Sequence, residues 1–239
     1  MEDNQFYRQV SYGEHPRQVV SFYDRIPAFV DSLNLPPLIF IHGGAWKDPT
    51  NTDRDVDKIA EFLNKTIPFC SIDYRLSPEV KHPAFLEDVL AASELVTKHL
   101  ASTTISLIGH SVGATLCLQA INALPPNITV EKVYLLDGIY DLPELLKEYP
   151  DYRSFVDEAH DDYTSVEIPL DKLKDVEVHI VQSYEDELLS MSQTNWLVKQ
   201  LQDLNIPYQL KVANLGKHND VYTNTKLADY LNTTYFQPR

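Results

Sequence analysis

The pentapeptide Gly109-His110-Ser111-Val112-Gly113, set between an apolar run and an amphipathic one, constrains this chain more than any other feature. TISLIG (104–109) reads as a buried strand, and residues 112–123 read as a helix that Pro125-Pro126 stops. A serine between the two sits on a very tight strand-to-helix turn, with its hydroxyl exposed above a sheet. Gly109 and Gly113 leave room for that turn. The helix N-terminus beneath the serine adds N–H donors aimed at developing negative charge. The G-x-S-x-G pattern is common by itself; the strand and helix on either side make Ser111 a candidate nucleophile.

A second motif follows an earlier strand. PLIFI (37–41) runs directly into His42-Gly43-Gly44-Ala45-Trp46. A glycine pair there lets the backbone approach a reacting carbonyl, so the amides of Gly43, Gly44 and Ala45, joined by that of Val112, are the expected oxyanion donors. His42 is expected to hold this loop through hydrogen bonds rather than act as a second base. Trp46 either lines the pocket or packs beneath the loop; the sequence leaves both open.

Short apolar runs alternate with helical stretches through the rest of the chain, which predicts an α/β fold with a mostly parallel sheet covered by helices on both faces. RQVVSFY (17–23) is expected as an early antiparallel edge strand, a polar helix around 53–66, and a strand over IPFCSIDY (67–74). Leu86, Val89, Leu90, Val96 and Leu100 share one face of a helix over about 84–99. KVYLL (132–136), VEVHIVQS (176–183) and YQLKVA (208–213) are further strands. Residues 138–170 are polar and punctuated by proline, and read as a small cap on a single domain of 1–239.

A serine is a poor nucleophile without a base. Three histidines follow Ser111. His160 falls in the cap, where a solvated histidine is the simplest account, and His179 lies inside a strand, as a structural residue. His218, in LGKHND after the last strand, stands at the catalytic edge of the sheet and is the expected base. The acid is expected after the penultimate strand, where VQSYEDELL supplies Asp186 between the solvated Glu185 and Glu187. Asp137, closing KVYLLD, is the runner-up.

Composition narrows the partners. The formal net charge of −15 opposes nucleic acid and anionic membranes, and its acidic residues are scattered rather than gathered in a tail. The apolar runs are too short to span a bilayer, and MEDNQFYRQV carries no basic segment followed by an apolar stretch, so no secretory signal is expected. Cys70 and Cys117 lack any metal or redox spacing and read as buried free thiols, which fits the cytosol.

HGGAW, DYRLSPE (73–79) and GHSVGA (109–114) resemble the hormone-sensitive-lipase-like branch of the α/β-hydrolases. LLDGIYDLPELLKEYPDY (135–152), SYEDELL (183–189) and LGKHNDVY (215–222) are similar to the fungal kynurenine formamidases, or arylformamidases. The resemblance runs from about residue 37 to the C-terminus and implies hydrolysis of N-formyl-L-kynurenine to L-kynurenine and formate, in tryptophan degradation toward NAD. It carries the family's nucleophile, acid and base onto Ser111, Asp186 and His218, and its oxyanion motif onto His42 to Trp46, with no metal or organic cofactor and with a homodimer suggested. Trp46, Tyr74 and Tyr140 are candidate pocket aromatics. A carboxylesterase of small acyl esters, or a non-catalytic binding protein on the same fold, are the competing readings.

Overall fold

Strands that are apolar at every position must be covered on both faces. In the structure, a computed structural model describing residues 7–23, 35–163 and 168–237, such strands form the centre of an eight-stranded sheet. The strands are β1 (Arg8–Ser11), β2 (Val19–Phe22), β3 (Leu38–Ile41), β4 (Phe69–Ile72), β5 (Thr104–His110), β6 (Thr129–Leu136), β7 (Glu177–Ser183) and β8 (Tyr208–Ala213). They lie in the order β1-β2-β4-β3-β5-β6-β7-β8. β2 runs antiparallel to both its neighbours, and every later pairing is parallel.

Successive side chains of a strand point to opposite faces. Ile39 and Ile41 of β3 therefore enter one core, with Phe85 and Val89 of α2 (Ala84–His99), Leu116 and Ala120 of α3 (Val112–Ala123), and Leu197. Leu38 and Phe40 enter the other, with Ile59 of α1 (Asp57–Phe62) and Leu227 and Leu231 of a C-terminal helix over Thr225–Thr234. Truncating a ring as buried as that of Phe40 to alanine costs about 3–5 kcal/mol. α1 and α3 thus leave adjacent strands toward opposite faces. That reversal opens a crevice beyond the carboxyl ends of β3 and β5, where an open α/β sheet binds its ligands. HGGAW follows β3 and Ser111 follows β5, so both motifs meet at this crevice.

Between β6 and β7 the chain forms α4 (Leu142–Glu148), a 3-10 turn (Pro150–Tyr152) and α5 (Arg153–Ala159). Asp141 caps α4 by accepting from the Glu144 amide at 2.7 Å. The next helices are α6 (Met191–Asp203) and α7 (Thr225–Thr234). Gln193 of α6 is buried and anchors the start of the segment between β6 and β7: its Oε1 accepts from the amides of Tyr140 and Asp141 at 2.7 and 2.9 Å.

Two expectations are corrected. The strand within 17–23 is not the sheet edge, because β1 pairs outside it; Arg-Gln-Val-Ser is mostly exposed and gave no apolar run to read. The helix placed at 53–66 is confined to Asp57–Phe62, since Thr52 to Val56 form polar turns that Asp55 closes by accepting from the Thr52 amide. Part of the 138–170 segment, and the first six residues, lie outside the described residues. Cys70 and Cys117 are buried free thiols. No helix among the described residues is long and apolar enough to cross a membrane.

Candidate active site

Ser111 adopts φ 55° and ψ −120°, a conformation that only tight packing maintains for a side-chain-bearing residue. The flanking glycines make the turn possible. A Cβ on Gly109 would lie 2.3 Å from the Gly113 carbonyl oxygen, and one on Gly113 would lie 2.1 Å from that of Ile41. α3 is thereby drawn against β3, and the Ser111 amide donates to the Leu136 carbonyl at 2.9 Å.

The HGGAW loop is held from below by side chains of the DYR segment. His42 places Nδ1 2.9 Å from the Gly43 carbonyl and Nε2 3.0 Å from Asp73 Oδ1, and it stacks on Tyr74 at 4.2 Å. Arg17 clamps the same carboxylate at 2.7 Å. The Tyr74 hydroxyl lies 3.0 and 3.2 Å from the carbonyls of His42 and Gly43. With these carbonyls turned inward, the loop presents its amides to the crevice. The φ values of Gly44 (91°), Ala45 (51°) and Trp46 (59°) are all left-handed. Among the described residues, the amides of Gly44, Ala45 and Val112 donate to no other group. His42 thus hydrogen-bonds within the loop and to Asp73.

His218 begins a 3-10 turn after β8, and its Nδ1 lies 2.8 Å from Asp186 Oδ2. Asp186 follows β7, and its Oδ1 accepts from the amides of Leu188 and Leu189 at 2.8 and 2.9 Å. Burial pushes the Asp186 carboxyl up, but the hydrogen bond and charge of His218, aided by these amides, hold it below the ordinary carboxylate range. With Nδ1 donating to Asp186, Nε2 of His218 keeps the ring's lone pair. Ser111 and His218 line one pocket of about 480 Å³, together with Ile139, Tyr152, Phe155 and Leu188. No hydrogen bond joins Ser111 to His218 among the described residues; such contacts commonly tighten only when substrate is bound.

His110 is fully buried, and burial, with the charge of His218, drives its pKa well below the ordinary value. The neutral ring places Nε2 2.9 Å from the His218 carbonyl and so ties the nucleophile turn to the histidine loop. Glu187, expected to be solvated, accepts from the His218 amide at 3.0 Å. Asp137 is completely buried, and desolvation, with the charge of Asp186, raises its carboxyl to about 8.

Other placements differ from the sequence reading. Trp46 is buried under the loop, in edge contact with His160 at 4.6 Å, and is not among the residues lining the pocket. Tyr74 and Tyr140 are buried as well, so the pocket's rings are those of Tyr152 and Phe155. These two come from the segment between β6 and β7, which lacked a period clear enough to say which residues face inward. His160 is 3% exposed rather than solvated, because Trp46, Phe85 and His82 enclose it. His179 is structural: its ring meets Tyr230 and Glu177, each at 2.8 Å.

Strand order, nucleophile turn and glycine loop together define an α/β-hydrolase built for serine catalysis. A family model described as alpha/beta hydrolase fold matches residues 38–219. A kynurenine formamidase of Meyerozyma guilliermondii is 42% identical over 238 residues, covering 92% of this chain and 90% of the relative. Kynurenine formamidases of Eremothecium gossypii and Saccharomyces cerevisiae are each 38% identical, covering 81% of this chain and 90% and 86% of the relatives. This chain belongs to that family of α/β-hydrolases, which the yeast kynurenine formamidases represent. Esterase B from Lactobacillus rhamnosis shares the fold, with a TM-score of 0.75 at 16% identity over 96% of this chain and 85% of its own.

Proposed function

We propose that this protein hydrolyses N-formyl-L-kynurenine to L-kynurenine and formate, with Ser111, His218 and Asp186 as nucleophile, base and acid. The observation that carries the reading is the 42% identity to a kynurenine formamidase over nine-tenths of both chains. The pocket supports it, since a serine and a histidine share its wall with two aromatic rings.

Ser111 Oγ attacks the formyl carbon as His218 Nε2 takes its proton, and the oxyanion is met by amides of Gly43, Gly44, Ala45 and Val112. Asp186 fixes the histidine tautomer and stabilises the imidazolium. The imidazolium then protonates the leaving aniline nitrogen, the C–N bond breaks, and kynurenine departs. Water, deprotonated by His218, attacks the formyl-serine; formate leaves and Ser111 regains its proton. An arylamine leaves more readily than an alkylamine, so an ester-cleaving type of site can manage this amide.

Tyr152 and Phe155, with ring centroids 5.2 Å apart, offer faces for the kynurenine ring. Lys47 and Asp48, also in the pocket wall, bring one charge of each sign for an amino-acid head group. Hydrogen bonds from Thr50 hold Asp48 in its ionised form, with its carboxyl below the ordinary range. The described part of the segment between β6 and β7 serves as a small cap on one domain, two buried free thiols suit a cytosolic location, and a homodimer would be read directly from the mass in solution.

The test is the rate on N-formyl-L-kynurenine beside a short-chain nitrophenyl ester. The formamide is expected to turn over with far higher kcat/KM, and Ser111→Ala is expected to lower kcat on both by about 10⁴-fold or more. Cleavage of the ester alone would move the protein to the carboxylesterases.

A further inference from the structure

Two carboxyl groups lie near His218, one more than a serine–histidine pair requires: Asp186 at 2.8 Å from Nδ1, and Asp137 within 4.8 Å of a ring nitrogen. Asp137 closes β6 at the left-handed φ of 41°, and its amide donates to the Val181 carbonyl at 2.9 Å. Its Oδ1 accepts from the Ser183 amide at 2.8 Å. Its Oδ2 is buried with no hydrogen-bond partner among the described residues, and the like charge of Asp186 acts on it. A buried carboxylate oxygen with no donor, set under the charge of a second carboxylate, is unfavourable unless one of the two groups carries a proton. Asp186 is the wrong candidate, because its Oδ1 accepts two amides and its Oδ2 faces His218 Nδ1. The proton therefore belongs on Asp137.

We propose that Asp137 is a carboxylic acid rather than a carboxylate in the resting enzyme, and that its O–H donates to Asp186 and holds that carboxylate against His218. This makes Asp137 a positioning residue, acting through Asp186. The inference rests on the triad proposed above but not on the substrate.

The groups facing Asp137 are Asp186 and Glu187 from the loop after β7, His218 from the loop after β8, His110 from β5, and Tyr140 beyond its own strand. One nitrogen each of His110 and His218 lies within 4.8 Å of an Asp137 oxygen and of the other. His110 Nε2 and His218 Nδ1 are already engaged, by the His218 carbonyl and by Asp186. Like charge from Asp186 and Glu187 opposes ionisation of Asp137, as does burial. Loss of the proton at alkaline pH would set two carboxylates in contact and push Asp186 off the histidine.

The sign of the linkage follows. The folded-state value, about 8, lies above the unfolded 3.8, so the contribution of this acid to stability is complete below pH 3.8 and is lost as pH rises to about 8. Asp137→Asn keeps a donor toward Asp186 and has no proton to lose. The Tm of the variant minus that of the wild type is therefore expected to grow steadily from pH 5 to pH 8. A difference that stays flat across that range would mean Asp137 is already ionised, and would overturn the proposal without reference to any substrate.

The second readout is kcat/KM against pH, on whichever acyl substrate the enzyme prefers. Wild type is expected to decline above pH about 8 while Asp137→Asn stays level, and Asp137→Leu, with no donor, is expected to lose at least tenfold at every pH. Matching alkaline limbs for wild type and Asp137→Asn would refute the role. Should neither variant fold, an infrared pH titration of the wild-type protein decides: a carboxylic-acid carbonyl band persisting at neutral pH supports the proposal, and its absence defeats it.

Discussion

At the scale of single residues, the site depends on groups with opposite demands on the same few ångströms. Asp186 must stay ionised and therefore collects the Leu188 and Leu189 amides. His110 is kept neutral by burial. Ser111, His218 and the glycines of the HGGAW loop, to which the proposed roles of nucleophile, base and oxyanion donors fall, were legible in the sequence because each sits in a short motif at a strand end. The partners Asp73, Tyr74, Arg17 and Glu187 were not, since a carboxylate or an arginine in a loop looks the same whether it is solvated or clamped. Asp48 supplies a residue-scale test of substrate recognition. Asp48→Asn is expected to raise KM for N-formyl-L-kynurenine about tenfold through loss of a charge-assisted contact, with the KM of a small neutral ester unchanged. Equal KM changes on both substrates would remove Asp48 from head-group recognition.

At the scale of elements, α2 and α3 fell where their apolar period placed them, at 84–99 and 112–123. The segment between β6 and β7 did not yield in this way. Its helices α4 and α5 have seven residues each, too few for a period to declare itself, and which residues face inward is decided by contacts through space. His160, the residue that ends α5, records that choice. Desolvation, with the charge of His82, lowers its pKa to about 4 from 6.5. Burial as the neutral ring therefore adds stability in full above pH 6.5, and that stability is lost as pH falls toward 4. The loss is on the order of 3 kcal/mol. His160→Gln is expected to show a smaller drop in Tm between pH 7.5 and pH 5 than the wild type does. An unchanged drop would mean that the ring is not held neutral.

At the scale of the whole molecule, the C-terminal helix is locked to the sheet by a buried cation. Lys132 of β6 is 1% exposed, and its Nζ donates to Glu177 at 2.8 Å, to the Thr234 carbonyl at 3.2 Å and to the Gln237 carbonyl at 2.7 Å. Removing one partner of such a cluster strands the others, at about 3–5 kcal/mol. Lys132→Ala is expected to lower stability in urea by that amount while kcat/KM stays within about twofold, because none of these groups lines the pocket. A large fall in activity with unchanged stability would assign Lys132 to the site instead. Nothing local to the run KVYLL announces this lock, because the partners of Lys132 lie 45, 102 and 105 residues further along the chain.

The sequence by itself determined what depends on neighbours along the chain: the parallel strands, the two long helices, the tight turn at Ser111 and the glycine loop after β3. Each of these follows from a local period or from a turn that only glycine permits. The tertiary structure decided what depends on distance through space. It set which rings line the pocket, turned Glu187 onto the His218 amide, buried His160, and brought Asp137 from β6 against Asp186 from beyond β7. Charge states and hydrogen-bond partners are set by burial and by contacts across dozens of residues, and no window of sequence contains them.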